Sequence, residues 1–175
     1  MAEMQGSSSE ISEYLMALSS ADDAAVHAAR RALVARGAQV VEALWAARAQ
    51  ANDSLRWEIT RTLVEIRDPQ VADRLVQILM DDPDPGIRWM AAEGLVSLGE
   101  ASLRPLLEAL VHHSDSAWLR QGAHHVLKAL TTGPWESALR PVLQALEGLE
   151  PTLQVPPAAQ QALMSLGLLR SGPAL

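Results

Sequence analysis

The sequence contains no cysteine and no phenylalanine, and only one tyrosine. Without cysteine there are no disulfides, no thiolate nucleophile and no Cys-ligated zinc or iron–sulfur centre, which makes a cytoplasmic location the default expectation. The near-absence of aromatic rings leaves Leu, Val, Ile and Ala to build the core, and their volumes suit close helix–helix contact better than thick β-sandwich layers. Long apolar runs are missing too. No stretch reaches the ~18 uninterrupted apolar residues of a membrane span, and Met1–Glu10 has no basic start leading into an apolar segment. Positive charge is in deficit, with 14 basic against 21 acidic side chains and a formal net charge of -7. That balance opposes binding to phosphate backbones, so nucleic acid is not an expected partner. Nor is there a Gly-x-Ser-x-Gly elbow, a Gly-rich phosphate loop or a His-Glu dipeptide.

What the chain does have is a repeat. Leu55-Arg56-Trp57, Ile87-Arg88-Trp89 and Leu119-Arg120-Gln121 recur at an interval of 32 residues. Leu63, Leu95 and Leu127 keep the same interval, with Ile59, Ala91 and Ala123 midway, so each segment is apolar at i, i+4 and i+8 along one helix face. A second set follows: Val71, Leu75 and Ile78 match Leu103, Leu107 and Leu110, and then Leu139, Leu143 and Leu146 after a short insertion at residues 131–135. Each unit therefore reads as two helices, A then B, joined by a turn. A weaker first copy runs through Ala25, Ala29 and Leu33, then Val40, Leu44 and Ala47. A last half-copy ends in Leu163-Met164-Ser165-Leu166-Gly167, echoing Leu95-Val96-Ser97-Leu98-Gly99. The glycines suit left-handed helix termination; Asp53, Asp84 and Asp115 or Ser116 are the expected N-caps. Ile11, Tyr14, Leu15 and Leu18 make a stripe suited to a capping helix, and the serine-rich start is expected to be disordered. The expected division is a tail over 1–9, a solenoid over 10–170 and a C-terminal tail over 171–175.

Asp84, Ile87, Arg88, Ala91, Leu95, Leu98 and Gly99 fit the pattern Asp-x-x-[Val/Ile]-Arg-x-x-Ala-x-x-x-Leu-x-x-[Leu/Ile]-Gly. The chain thus resembles the short HEAT-like repeats of the phycobilisome-lyase type over roughly residues 20–170. The resemblance implies an all-α, right-handed α-solenoid of about four and a half helix pairs behind an N-terminal capping helix, with A helices convex and B helices concave. It identifies architecture far better than activity. The leading functional reading is a non-enzymatic adaptor, scaffold or assembly factor that binds another protein and needs no cofactor. The second reading, carried by the resemblance alone, is a phycobilin lyase-type factor for chromophore attachment or removal.

If B helices line the concave side, their outward positions define a groove that passes from apolar (Val41, Trp45, Val76, Leu79) to polar (Arg104, Glu108, Arg140, Gln144). A partner helix or chain end could dock there, unless the N-terminal helix folds back over it. Trp57 and Trp89 hold one position in adjacent repeats, turned about 200° from the core column; they either seal the seam between repeats or form a contact ladder. Arg56, Arg88 and Arg120 form a column best read as each holding the acidic turn residue beside it, through charge-assisted hydrogen bonds that order the turn. His112, His113, His124 and His125 invite a metal reading, but neighbouring helical residues diverge by about 100° and no acid completes a set, so no metal is expected.

Overall fold

The structure, a computed structural model, describes the backbone of residues 2–169 and the side chains of residues 9–169. Ten α-helices follow in order: α1 (Ala2–Ala17), α2 (Asp23–Arg36), α3 (Val41–Arg48), α4 (Asp53–Ile66), α5 (Ala72–Asp81), α6 (Pro85–Leu98), α7 (Glu100–His112), α8 (Ala117–Leu130), α9 (Glu136–Leu146) and α10 (Pro151–Ser165). Single 3-10 turns at Gly37–Val40 and Pro69–Val71 lead into α3 and α5. There is no strand among the described residues.

The A helices α2, α4, α6 and α8 stack in sequence, and the B helices follow them as α3, α5, α7 and α9. Leu63, Leu95 and Leu127 are fully buried, as are Leu75 and Leu107 and the column Leu103 and Leu139, so the repeat columns form the core. In the last repeat Leu143 and Leu146 are only half-buried, and Val142 and Ala145 are buried beside Leu139. Helix starts follow local chemistry. Asp22 Oδ1 accepts from the Ala24 N–H, Asp84 Oδ1 from Gly86 and Ile87, and Ser116 Oγ from Leu119. The cap of α4 is Asn52, whose Oδ1 accepts from the Leu55 N–H at 2.9 Å, rather than the expected Asp53, which is already inside the helix. Gly99 and Gly167 end their helices at φ 58° and 66° as their repeat position predicts.

Two ends depart from expectation. Helix α1 begins at Ala2, inside the stretch read as a tail, and packs on α2 and α3 with Leu18 buried and Arg36 over the Tyr14 ring. It caps the end of the stack; none of its described residues lines the concave groove. At the other end, α10 carries the last half-repeat but does not stack on α8. It packs instead against α7 and α9, taking the place beside α7 that the fourth B helix would have. Val155, Ala159, Ala162 and Leu163 form its buried stripe, and the two alanines let it close on two helices at once. Ser114 Oγ, in the α7–α8 turn, donates to the Thr152 carbonyl and fixes where α10 starts. The expected C-terminal tail at 171–175 lies outside the described residues.

Close approach between helices is set by glycine at one point in particular. A Cβ on Gly122 of α8 would lie 2.7 Å from Leu79 Cγ, and Leu79 is buried and cannot swing away. Overpacking there costs about 1–3 kcal/mol, against about 1 kcal/mol gained in helix propensity. Gly122→Ala should therefore lower the urea midpoint; a raised midpoint would show that α5 and α8 are not in this contact.

Candidate functional site

An open groove on the B-helix side, lined from α3, α5 and α7, has a volume of ≈ 560 Å³. Its apolar patch is not the one expected. Val41, Val76 and Leu79 are only 3%, 4% and 2% exposed: Val76 reaches the groove floor, while Leu79 turns toward α8. The B helix α5 packs on its own A helix α4 and more extensively on α6, α7 and α8, so its buried face is wider than one stripe. Positions one step beyond the core column are consequently covered too. Trp45 is half-buried between two guanidinium groups, with Arg74 4.9 Å and Arg48 5.5 Å from its ring centre. Arg74 in turn holds both carboxylate oxygens of Glu42, at 2.9 and 3.0 Å.

Farther along, Arg104 and Glu108 are paired on α7 at 3.0 Å, and Glu108, Val111 and His112 line a hollow together with Gln160 and Leu163 of α10. The groove is therefore acidic and polar around Glu42, Asp73, Asp81 and Glu108, rather than graded from apolar to polar. Arg140 and Gln144, expected to extend it, instead line a separate hollow with Lys128 and Glu136, because α10 stands between α7 and α9.

Beneath the groove's edge the turn from α5 to α6 is organised by Asp82, 1% exposed. Its carboxylate meets Arg48 of α3 and Arg56 of α4, and also accepts from the Asp84 N–H at 2.9 Å. Burial pulls the Arg48 guanidinium below its ordinary range, with Asp82 opposing. The arginine column does order turns. Arg56 binds Asp53 and Asp82, but Arg88 donates to the carbonyls of Asp82 and Pro83 and Arg120 to that of Ser114, so two of the three hold backbone rather than acid.

The A-helix side carries a different surface. Trp57, Trp89 and Trp118 are 40%, 57% and 42% exposed, one on each of α4, α6 and α8. Trp57 lies over the turn at Gly86, so it seals a seam and still shows much of its ring. Trp89 sits 4.4 Å from the His125 ring of α8, and Trp118 lies under the Arg88 guanidinium at 4.2 Å. Between α6 and α8, Trp89 and Trp118 flank a cleft of ≈ 290 Å³ floored by Leu79, Ala92 and Gly122. Trp118 was not singled out from the sequence because it falls outside the 32-residue column of Trp57 and Trp89. Reading back seven residues from His125, along one face of α8, reaches it.

Comparison with known families matches residues 40–128 to HEAT repeats. The chain belongs to the HEAT-repeat family. No curated protein matches the sequence. The matched HEAT repeats run from the start of α3 into α8, and so contain the groove, the Asp82 turn and all three exposed tryptophans.

In this HEAT-repeat chain two of the histidines, His124 and His125, are paired with acids. His124 Nε2 lies 2.8 Å from Glu147 and His125 Nε2 lies 2.7 Å from Glu93, while the His112 and His113 rings stand 6.5 Å apart edge-on. Among the described residues no three His, Asp or Glu side chains converge as a metal site would require, and no helix is long and apolar enough to cross a membrane.

Proposed function

We propose that this HEAT-repeat chain is a non-enzymatic protein-binding module, an adaptor or assembly factor of the cytoplasm, that holds its partner on the tryptophan face of α4, α6 and α8. One observation carries the reading. Of six aromatic residues in 175, three tryptophans stand exposed on consecutive A helices of a rigid stack. Large rings left in water by a chain that builds its core from aliphatic residues are the side chains that most often dominate protein interfaces. The groove is the weaker candidate, since Trp45, Arg74 and Arg104 are already engaged within the chain.

Trp89→Ala and Trp118→Ala are expected to change stability by less than about 1 kcal/mol, as surface substitutions do, and to abolish partner capture from the native extract. Trp45→Ala should leave capture intact once its folded fraction is matched. Capture that survives both A-helix variants and fails with Trp45→Ala would move the site into the groove.

A further inference from the structure

We infer that the cleft between Trp89 and Trp118 takes a second copy of this chain, which seats its Leu149 side chain between the two rings and its Glu150 carboxylate on Arg88; this rests on the reading that the A-helix face is the docking surface. The cleft supplies the first argument. At ≈ 290 Å³, over an apolar floor of Leu79, Ala92 and Gly122, it falls just short of the ~300 Å³ at which sites for drug-sized small molecules begin. One aliphatic side chain suits it in size and character.

The second argument is charge. Two of the basic groups that line the cleft, His124 and His125, are already matched within the chain by Glu147 and Glu93. Arg88 is not. Its Nη1 donates to the neutral carbonyls of Asp82 and Pro83, its guanidinium lies 4.2 Å from the Trp118 ring centre, and no carboxylate pairs with it among the described residues. The two carbonyls hold the guanidinium in place and leave its Nε and Nη2 donors for an incoming acceptor. An occupant with a carboxylate beside its apolar group therefore completes the site.

The chain itself displays that pair. Leu149, in the turn from α9 to α10, is 100% exposed, and the neighbouring Glu150 is exposed with no side-chain partner among the described residues. The turn that carries them is held at both ends. His124 binds Glu147 at 2.8 Å, Ser114 Oγ donates to the Thr152 carbonyl at 3.0 Å, and Pro151 restricts the backbone of Glu150 before it. A leucine presented in this way has little backbone freedom left to lose on docking.

Placement decides the form of the contact. Because His124 both lines the cleft and holds Glu147, the Leu149 knob and the cleft stand beside each other on one surface. Two copies facing each other about a two-fold axis can then exchange knobs, each into the other's cleft, and the contact closes on itself as a dimer. The net charge of -7 per chain opposes pairing; the two Arg88–Glu150 contacts work against that repulsion at the interface.

The test is sedimentation of the full chain over a dilution series from micromolar to submillimolar protein. A reversible dimer of twice the chain mass is expected. Leu149→Asp alters a side chain fully exposed in the single copy, so it should leave the circular dichroism spectrum and urea midpoint unchanged. It removes both seats, and the dimer dissociation constant should rise at least about a hundredfold, tenfold for each. Glu150→Lys, which sets like charge against Arg88, and Trp118→Ala should each raise it at least about tenfold. A chain that stays monomeric throughout, or a dimer whose dissociation constant is unmoved by Leu149→Asp, overturns the inference. If the chain is monomeric and Trp118→Ala still loses capture of the native partner, the occupant is wrong while the docking face stands. If it is monomeric and the Trp89→Ala and Trp118→Ala variants capture that partner normally, the docking face itself is wrong.

Discussion

Asp82→Ala is expected to destabilise the protein by about 3–5 kcal/mol, the range for breaking a buried ion pair from one side. The carboxylate is 1% exposed and serves two guanidinium groups from different helices, Arg48 of α3 and Arg56 of α4. Its loss strands charge that is already poorly served, because Arg48 Nε is buried and without a hydrogen-bond partner. The same side chain also holds the Asp84 N–H, and Asp84 caps α6, so the turn that starts the third repeat loosens with it. Asp82→Asn keeps the shape and one acceptor but removes the charge, and should retain only a minor part of the stability. Urea denaturation followed by far-UV circular dichroism measures both. A loss below about 1 kcal/mol for the alanine variant would mean that water reaches the two arginines and that the pair is effectively a surface one.

The repeat was legible because its signal is local. Leu63, Leu95 and Leu127 repeat every 32 residues on one helical face, and a helix with one apolar face must bury it against a neighbour. Asp84 and Ser116 could be recognised as caps for the same reason, their partners lying two or three residues away. Where sequence reasoning failed, the deciding contact was distant. Val76 and Leu79 follow the core column by one residue and look outward on an isolated helix, yet the next repeats cover them. Asp82 is one of several acids in a turn until it meets Arg48, 34 residues earlier in the chain. Helix α10 repeats the ending of an A helix faithfully and still packs as a B helix would, since a stripe of Val155, Ala159, Ala162 and Leu163 fits the space beside α7. Trp57 and Trp89 were found by their period, Trp118 was missed for lack of one, and all three prove exposed.

Leu95→Ala carries the other large effect, about 2–5 kcal/mol for a buried leucine truncated in a packed core. Its place in the stack decides what that loss looks like. Leu95 is fully buried on α6, and α6 touches α4 and α8 on either side, α5 of the preceding repeat and its own partner α7. In a solenoid, stability is a sum of repeat terms and nearest-neighbour interfaces, so a cavity in the central A helix weakens both interfaces that join the halves. The expected result is a lower midpoint together with a shallower urea slope, because the halves begin to unfold separately and each exposes less surface. Leu33→Ala, fully buried on α2 near the N-terminal end, creates a similar cavity that bears mainly on the first repeat. It should lower the midpoint and leave the slope nearly unchanged. Equal slopes for the two variants would mean that α6 is not the coupling element, and that cohesion passes through the B helices instead.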